Sequence, residues 1–138
     1  MAKKIIYAVV AVFITWGVLD ALIHSVILSS AYKATEQLWR KPEEFKQGVM
    51  LLTTLITAIV FVYIYARYVA TKTLGTGIGY GLLFGIGFGV SMGYGSYSVM
   101  PIPYYMAFTW FLGTVVEGTV AGVWLGLMFR EKASQTTA

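Results

Sequence analysis

The chain has 138 residues, of which 58% are hydrophobic and 12% charged, with a formal net charge of +4 and a mean hydropathy of +0.74. That is too apolar for a soluble domain, and at about 20 apolar residues per helical crossing it leaves room for four spans and little else. The lack of cysteine excludes disulfides, thiolate metal sites, cysteine-ligated iron–sulfur clusters and covalently attached c-type haem.

The first span is predicted over about residues 5–28, after Lys3 and Lys4 and before Ser29-Ser30. Ser29-Ser30-Ala31 resembles a signal-peptide cleavage site, but the apolar run is longer than a signal-peptide core, so a retained span is expected. Gly17, Asp20 and His24 interrupt it. Residues 30–47 are the only long polar connection, and they read as an interfacial amphipathic segment with Tyr32 and Trp39 as headgroup anchors, or as a docking site for a partner protein. Pro42 is expected in the first turn of a helix leading into span two.

Span two is predicted over about 48–69. Thr53, Thr54 and Thr57 are expected to return their hydroxyls to the preceding turn or to bond a neighbouring helix. Tyr63, Tyr65, Arg67 and Tyr68 mark its far boundary.

Span three, predicted over about 74–98, carries Gly77, Gly81, Gly85, Gly89 and Gly93 at a constant spacing of four. Residues four apart share one helical face, so this row forms a flat groove that admits another backbone. A second row, Gly75, Gly79, Gly87 and Gly95, lies two residues out of register, and a step of about 200° puts it on nearly the opposite side. The odd–even alternation also imitates a strand, but one face of glycine offers no packing and a lone strand leaves its backbone unsatisfied in lipid. A helix-packing zipper is therefore expected, with a glycine-lined hinge or pore as the alternative. The bulky flanks are Ile78, Leu82, Ile86 and Val90 on one side and Tyr80, Phe84, Phe88 and Met92 on the other.

Pro101 and Pro103 force a stiff turn, which makes spans three and four antiparallel neighbours. Span four, predicted over about 104–129, has its own ladder of Thr114, Gly118, Gly122 and Gly126 to meet one row of span three. The other row is left for span one, span two or another protein. Tyr94, Tyr97, Tyr104, Tyr105 and Trp110 read as an interfacial aromatic belt, with a quinone or lipid pocket as the alternative.

Basic residues orient the chain rather than pointing to nucleic acid. Lys3, Lys4, Arg67, Lys72, Arg130 and Lys132 fall on one side, against Lys33, Arg40, Lys41 and Lys46, diluted by Glu36, Glu43 and Glu44, on the other. Both termini are accordingly expected in the cytoplasm.

Three ionisable residues fall inside the spans: Asp20, His24 and Glu117. A charge near the bilayer centre costs about 3 kcal/mol on insertion scales, so each needs a partner, a water cavity or a neutralising proton. Asp20 and His24 are four residues apart on one face, and Glu117 is expected within about 5 Å of the depth of Asp20 at 1.5 Å per residue. Such a set relays protons, binds a metal or holds a polar group; alternatively, Asp20 and His24 satisfy each other and Glu117 stays protonated. His24 is also a possible axial ligand to haem or a chlorin, although a lone histidine excludes bis-histidine haem within one subunit. No cofactor is strongly implied. No hydrolase triad, Walker loop or dinucleotide fingerprint is present, since the repeated glycines lack the preceding strand and the following acid.

Asp20-x-x-x-His24, then Ala31-Tyr32 and Leu38-Trp39-Arg40, with further spans and a Pro-x-Pro turn, resembles a group of small bacterial membrane proteins of unassigned function. The resemblance implies a four-span bundle in the bacterial inner membrane and supplies no activity. Small multidrug exporters are similar in size and also carry an intramembrane glutamate, but theirs lies in the first span, whereas Glu117 lies in the fourth. The reading preferred from sequence is an all-α, nonenzymatic bundle that associates through glycine faces, with itself or as an accessory subunit. Its alternatives are a small proton-coupled transporter or channel using Asp20, His24 and Glu117, and a metal- or cofactor-binding membrane protein.

Overall fold

The computed structural model describes residues 1–130; Lys132 of the charge count and the polar end from Ala133 to Ala138 lie outside the described residues. Four helices are long and apolar enough to cross a bilayer: span one Ala2–Ile27, span two Gln47–Tyr68, span three Leu74–Val99 and span four Tyr104–Phe129. The chain is an all-α, multi-pass membrane bundle. At 1.5 Å per residue the longest spans reach about 39 Å, enough for a hydrocarbon core of about 30 Å with some tilt.

Spans three and four form the tightest pair. Gly77, Gly81, Gly85, Gly89 and Gly93 are all buried against span four, where they face Gly126, Gly122, Gly118, Val115, Phe111 and Ala107 in antiparallel order. A Cβ at Gly85 would lie 2.7 Å from the Thr114 carbonyl oxygen, and one at Gly89 would lie 2.8 Å from that of Phe111. At Gly81, Gly118 and Gly122 it would run into the opposing backbone itself. Lipid tails are as apolar as side chains, so close backbone approach and its dispersion contacts supply the attraction here.

The second row behaves otherwise. Gly79 and Gly87 have nothing within 4 Å of an added Cβ, and Gly75 and Gly95 meet only atoms of their own segment. No other span covers this row.

Span one buries Ala8, Val12 and Trp16, a stripe with a four-residue step, against Ala58, Phe61, Val62 and Tyr65 of span two and Ala121, Leu125 and Phe129 of span four. This cluster fills the half of the bundle nearest the N-terminus. Span two contributes nothing to it before Ala58, and Val49, Met50, Leu51 and Leu52 all face outward. Spans two and three meet through side chains: the Tyr80 hydroxyl donates to the Phe61 carbonyl at 2.8 Å, and the Phe61 ring lies 4.8 Å from those of Tyr80 and Phe84. Beyond Phe61, towards the start of span two, that contact is lost.

Two helical segments widen to π geometry, Ile23–Ile27 in span one and Val90–Gly95 in span three. Such single-turn insertions re-aim the side chains that follow and recur at functional sites. After the first, a short helix Ser29–Ala34 and a 3₁₀ turn Glu36–Leu38 fold back over the bundle. Tyr32 and Trp39, both half-buried, pack against Trp110. Pro42 opens a separate 3₁₀ turn, Pro42–Glu44, and span two starts later at Gln47. Trp110 leaves the expected belt, whereas Tyr97, Tyr104 and Tyr105 stay exposed. Tyr65 is fully buried, its hydroxyl 3.3 Å from the Thr73 carbonyl at the capping box that starts span three.

Candidate functional site

Asp20, His24 and Glu117 all line one cavity of about 630 Å³. Span one supplies Trp16, Asp20, Ile23 and His24; the folded-back connection supplies Tyr32 and Trp39. Thr53, Thr54 and Thr57 face it from span two, Phe84, Phe88 and Met92 from span three, and Trp110, Thr114 and Glu117 from span four. Each of the four spans thus contributes a wall. The floor is Trp16, whose indole N–H donates to the Glu117 carbonyl at 3.0 Å and whose ring lies 5.4 Å from Phe61, the edge of the packed core.

The polar groups form a directed chain. An indole N–H only donates, so Trp110 Nε1 gives its hydrogen to the Tyr32 hydroxyl oxygen at 3.1 Å. The acceptor left within reach of the Tyr32 hydrogen is His24 Nδ1, at 2.6 Å. Either partner of that pair can carry the hydrogen; with Tyr32 donating, the imidazole hydrogen sits on Nε2, which faces Asp20 Oδ1 at 3.6 Å, an electrostatic approach longer than a hydrogen bond. Asp20 in turn lines the same cavity as Glu117. Burial pushes the Tyr32 phenol above its ordinary 10.0, an effect partly opposed by the Trp110 hydrogen bond and reinforced by the charge of Asp20.

Aromatic rings enclose the chain. His24 lies 5.8 Å from Tyr32 and 6.5 Å from Trp110, and Trp39 packs edge-on to both of those rings at 5.3 and 6.1 Å. Trp39 is itself fixed by donating to Thr35 Oγ1 at 2.8 Å, while Thr35, 5% exposed, donates to the Ala31 carbonyl. Glu117 Oε1 is buried and has no hydrogen-bond partner among the described residues.

Sequence reasoning named the three ionisable residues but missed Trp16, Tyr32, Trp39 and Trp110 as parts of their site. A signal existed: Tyr32, Thr35 and Trp39 recur at steps of three and four, the spacing of one helical face, in a segment otherwise charged. Of the glycines Gly77, Gly81, Gly85, Gly89, Gly93, Gly118, Gly122 and Gly126, Gly118 itself lines the cavity, and the others bear on the site indirectly, by clamping spans three and four so that Phe84, Phe88 and Trp110 come to one cavity.

His24 Nδ1 is engaged with the Tyr32 hydroxyl, and Nε2 lies 3.6 Å from Asp20 Oδ1. Among the described residues, no group of three or more His, Cys, Asp and Glu side chains is arranged to hold a metal ion. No family model, curated protein or solved structure matches the chain.

Proposed function

We propose that the protein is a small proton-coupled carrier whose solute site is the cavity at Asp20, His24 and Glu117. The observation that carries this reading is the meeting of all three intramembrane ionisable residues on one cavity walled by four spans. Two carboxyls on one cavity within the membrane repel when both are charged, so a proton or a cationic group between them is favoured. A site that holds one or the other, never both, exchanges solute for proton.

The asymmetry of the bundle supports the same reading. The half near the N-terminus is sealed by the core from Ala8 to Trp16, while the cavity extends from Glu117 to Tyr32 and Trp39 on the opposite side. That is one access state of a carrier, open towards the connection and closed by the Trp16–Phe61 contact. The charge distribution favours a bacterial cytoplasmic membrane protein with both termini inside, so this state opens outward.

The test is the collapse of an imposed pH gradient across proteoliposomes, read by an entrapped pH dye, as small cationic and neutral solutes are added. A solute-dependent collapse that disappears in Glu117→Gln is expected. Equal rates in the wild type and the variant would remove the titrating role.

A second reading, assembly with another copy or as an accessory subunit, is favoured by the uncovered row of Gly75, Gly79, Gly87 and Gly95. It is compatible with the first. Crosslinking of native membranes with and without Gly79→Leu and Gly87→Leu tests it: loss of the crosslinked species is expected, and an unchanged monomer in both samples would reject it.

A further inference from the structure

We infer that the cavity takes a protonated organic amine, an N–H-bearing ammonium head on an apolar body that enters from the bilayer between spans two and three. This rests on reading the cavity as the solute site and supplies the class of solute.

The first argument is the hydrogen-bond inventory. Thr53 and Thr54 both donate to the Met50 carbonyl, Thr57 to that of Thr53 and Thr114 to that of Trp110. The three lining indoles are equally engaged: Trp16 with the Glu117 carbonyl, Trp39 with Thr35 and Trp110 with Tyr32. The Tyr32 hydroxyl and His24 Nδ1 share one hydrogen bond, and His24 Nε2 faces Asp20. The walls therefore present acceptors and almost no free donor. A complementary ligand must bring the donors itself, and the cavity that would receive it is lined by Glu117, whose buried Oε1 has no partner among the described residues.

Charge gives the same answer. The lining holds two carboxyl groups and, among the described residues, no lysine or arginine, so nothing in it offsets the charge of a phosphate, a carboxylate or another anion. The rings of Trp16, Trp110 and Phe88 suit a large, weakly hydrated organic cation, through cation–π attraction. An inorganic cation calls instead for a cage of oxygen ligands. Size agrees: about 630 Å³ is within the range of small-molecule sites.

The route follows from where span two leaves the bundle. Its buried residues begin at Ala58, so Thr53 and Thr54 stand opposite Phe88 and Met92 without closing on them, and Phe88 and Met92 remain 47% and 51% exposed. An apolar body lying in that gap touches lipid on one side while its head reaches Asp20 and Glu117.

Isothermal titration of the full chain in phosphatidylcholine nanodiscs, corrected against protein-free discs, tests this at neutral pH. The ligands are 2-phenylethylamine, its N,N,N-trimethyl analogue, 2-phenylethanol and 3-phenylpropanoate. The amine should bind at least tenfold more tightly than the alcohol and the carboxylate, and measurably more tightly than the trimethyl analogue, which has the charge but no N–H. Equal or tighter binding of the alcohol or the carboxylate would overturn the amine class, and equal binding of the trimethyl analogue would overturn the donor argument. Glu117→Gln should lose at least tenfold in amine affinity; if its melting temperature shows that it does not fold, Asp20→Asn carries the same expectation. Unchanged affinity in a folded variant sinks the proposal. Amine binding without Glu117-dependent flux in proteoliposomes supports the ligand class and removes the carrier reading. Glu117-dependent flux with no amine binding does the reverse.

Discussion

Trp110 donates its indole hydrogen to the Tyr32 hydroxyl across 3.1 Å, joining the fourth span to a connection 78 residues earlier in the chain. With the Trp110 hydrogen on the Tyr32 oxygen, the direction expected for the rest of the chain is the Tyr32 hydrogen on His24 Nδ1 and the imidazole hydrogen on Nε2. With a single histidine in the sequence, ¹⁵N spectra of labelled protein read that tautomer directly. One nitrogen should show the shift and lack of attached hydrogen of an acceptor, and the other those of a donor, with Tyr32→Phe mixing the two forms. Tyr32→Phe should also cost about 2 kcal/mol of stability, since it strands the Trp110 donor. A wild-type spectrum with the hydrogen on Nδ1 would reverse the proposed direction.

The two glycine rows of span three should respond oppositely to the same small change. Gly81→Ala forces a methyl group into the Gly118 carbonyl and should cost about 3 kcal/mol or more in mixed-micelle unfolding. Gly79→Ala meets nothing within 4 Å and should fall within about 1 kcal/mol of wild type, with helix propensity on its side. Similar costs at both positions would mean that the second row is covered by a partner in the sample, which the oligomeric state would then have to show.

Tyr32 gives the site a signature at high pH. Burial raises its phenol above 10.0, so the fold favours the neutral form. The stability it contributes is fully present below the unfolded-state value near 10 and is lost as pH rises through the higher folded-state value. A phenolate titration near 295 nm, taken as wild type minus Tyr32→Phe, should reveal one tyrosine ionising above the ordinary range. The stability difference between the two proteins should shrink over the same interval. A difference spectrum centred at or below 10 would contradict the buried placement.

Orientation is open to labelling because the chain has no cysteine to remove. Lys46 and Thr71 are exposed and lie at opposite ends of span two. With both termini in the cytoplasm, Lys46→Cys should react with a membrane-impermeant maleimide in intact cells, and Thr71→Cys only after permeabilisation. The opposite pattern would invert the topology and turn the cavity mouth to the cytoplasm.

The sequence by itself determined what depends on local composition and helical period. Four runs of the right length and apolarity became four spans with ends within a few residues of expectation, because a backbone in lipid has no alternative to the helix. The spacing of Gly77 to Gly93 specified a face that must meet another backbone, and the Pro101–Pro103 turn made span four the neighbour at hand. Asp20, His24 and Glu117 were legible as costly residues for the same reason: charge in a span is conspicuous in one dimension.

The tertiary structure alone decided which residues those three would meet. Tyr32 and Trp39 have the composition of interfacial anchors, and nothing local distinguishes an aromatic ring at the headgroups from one folded inward. The difference arises from the π turn at Ile23–Ile27, which redirects the chain, and from Trp110, far away in sequence, which offers the hydrogen-bond donor that makes the inward position favourable. The same holds for the cavity. It exists because span two departs from the bundle before Ala58, and an empty space between helices is a property of their arrangement that no single helix encodes.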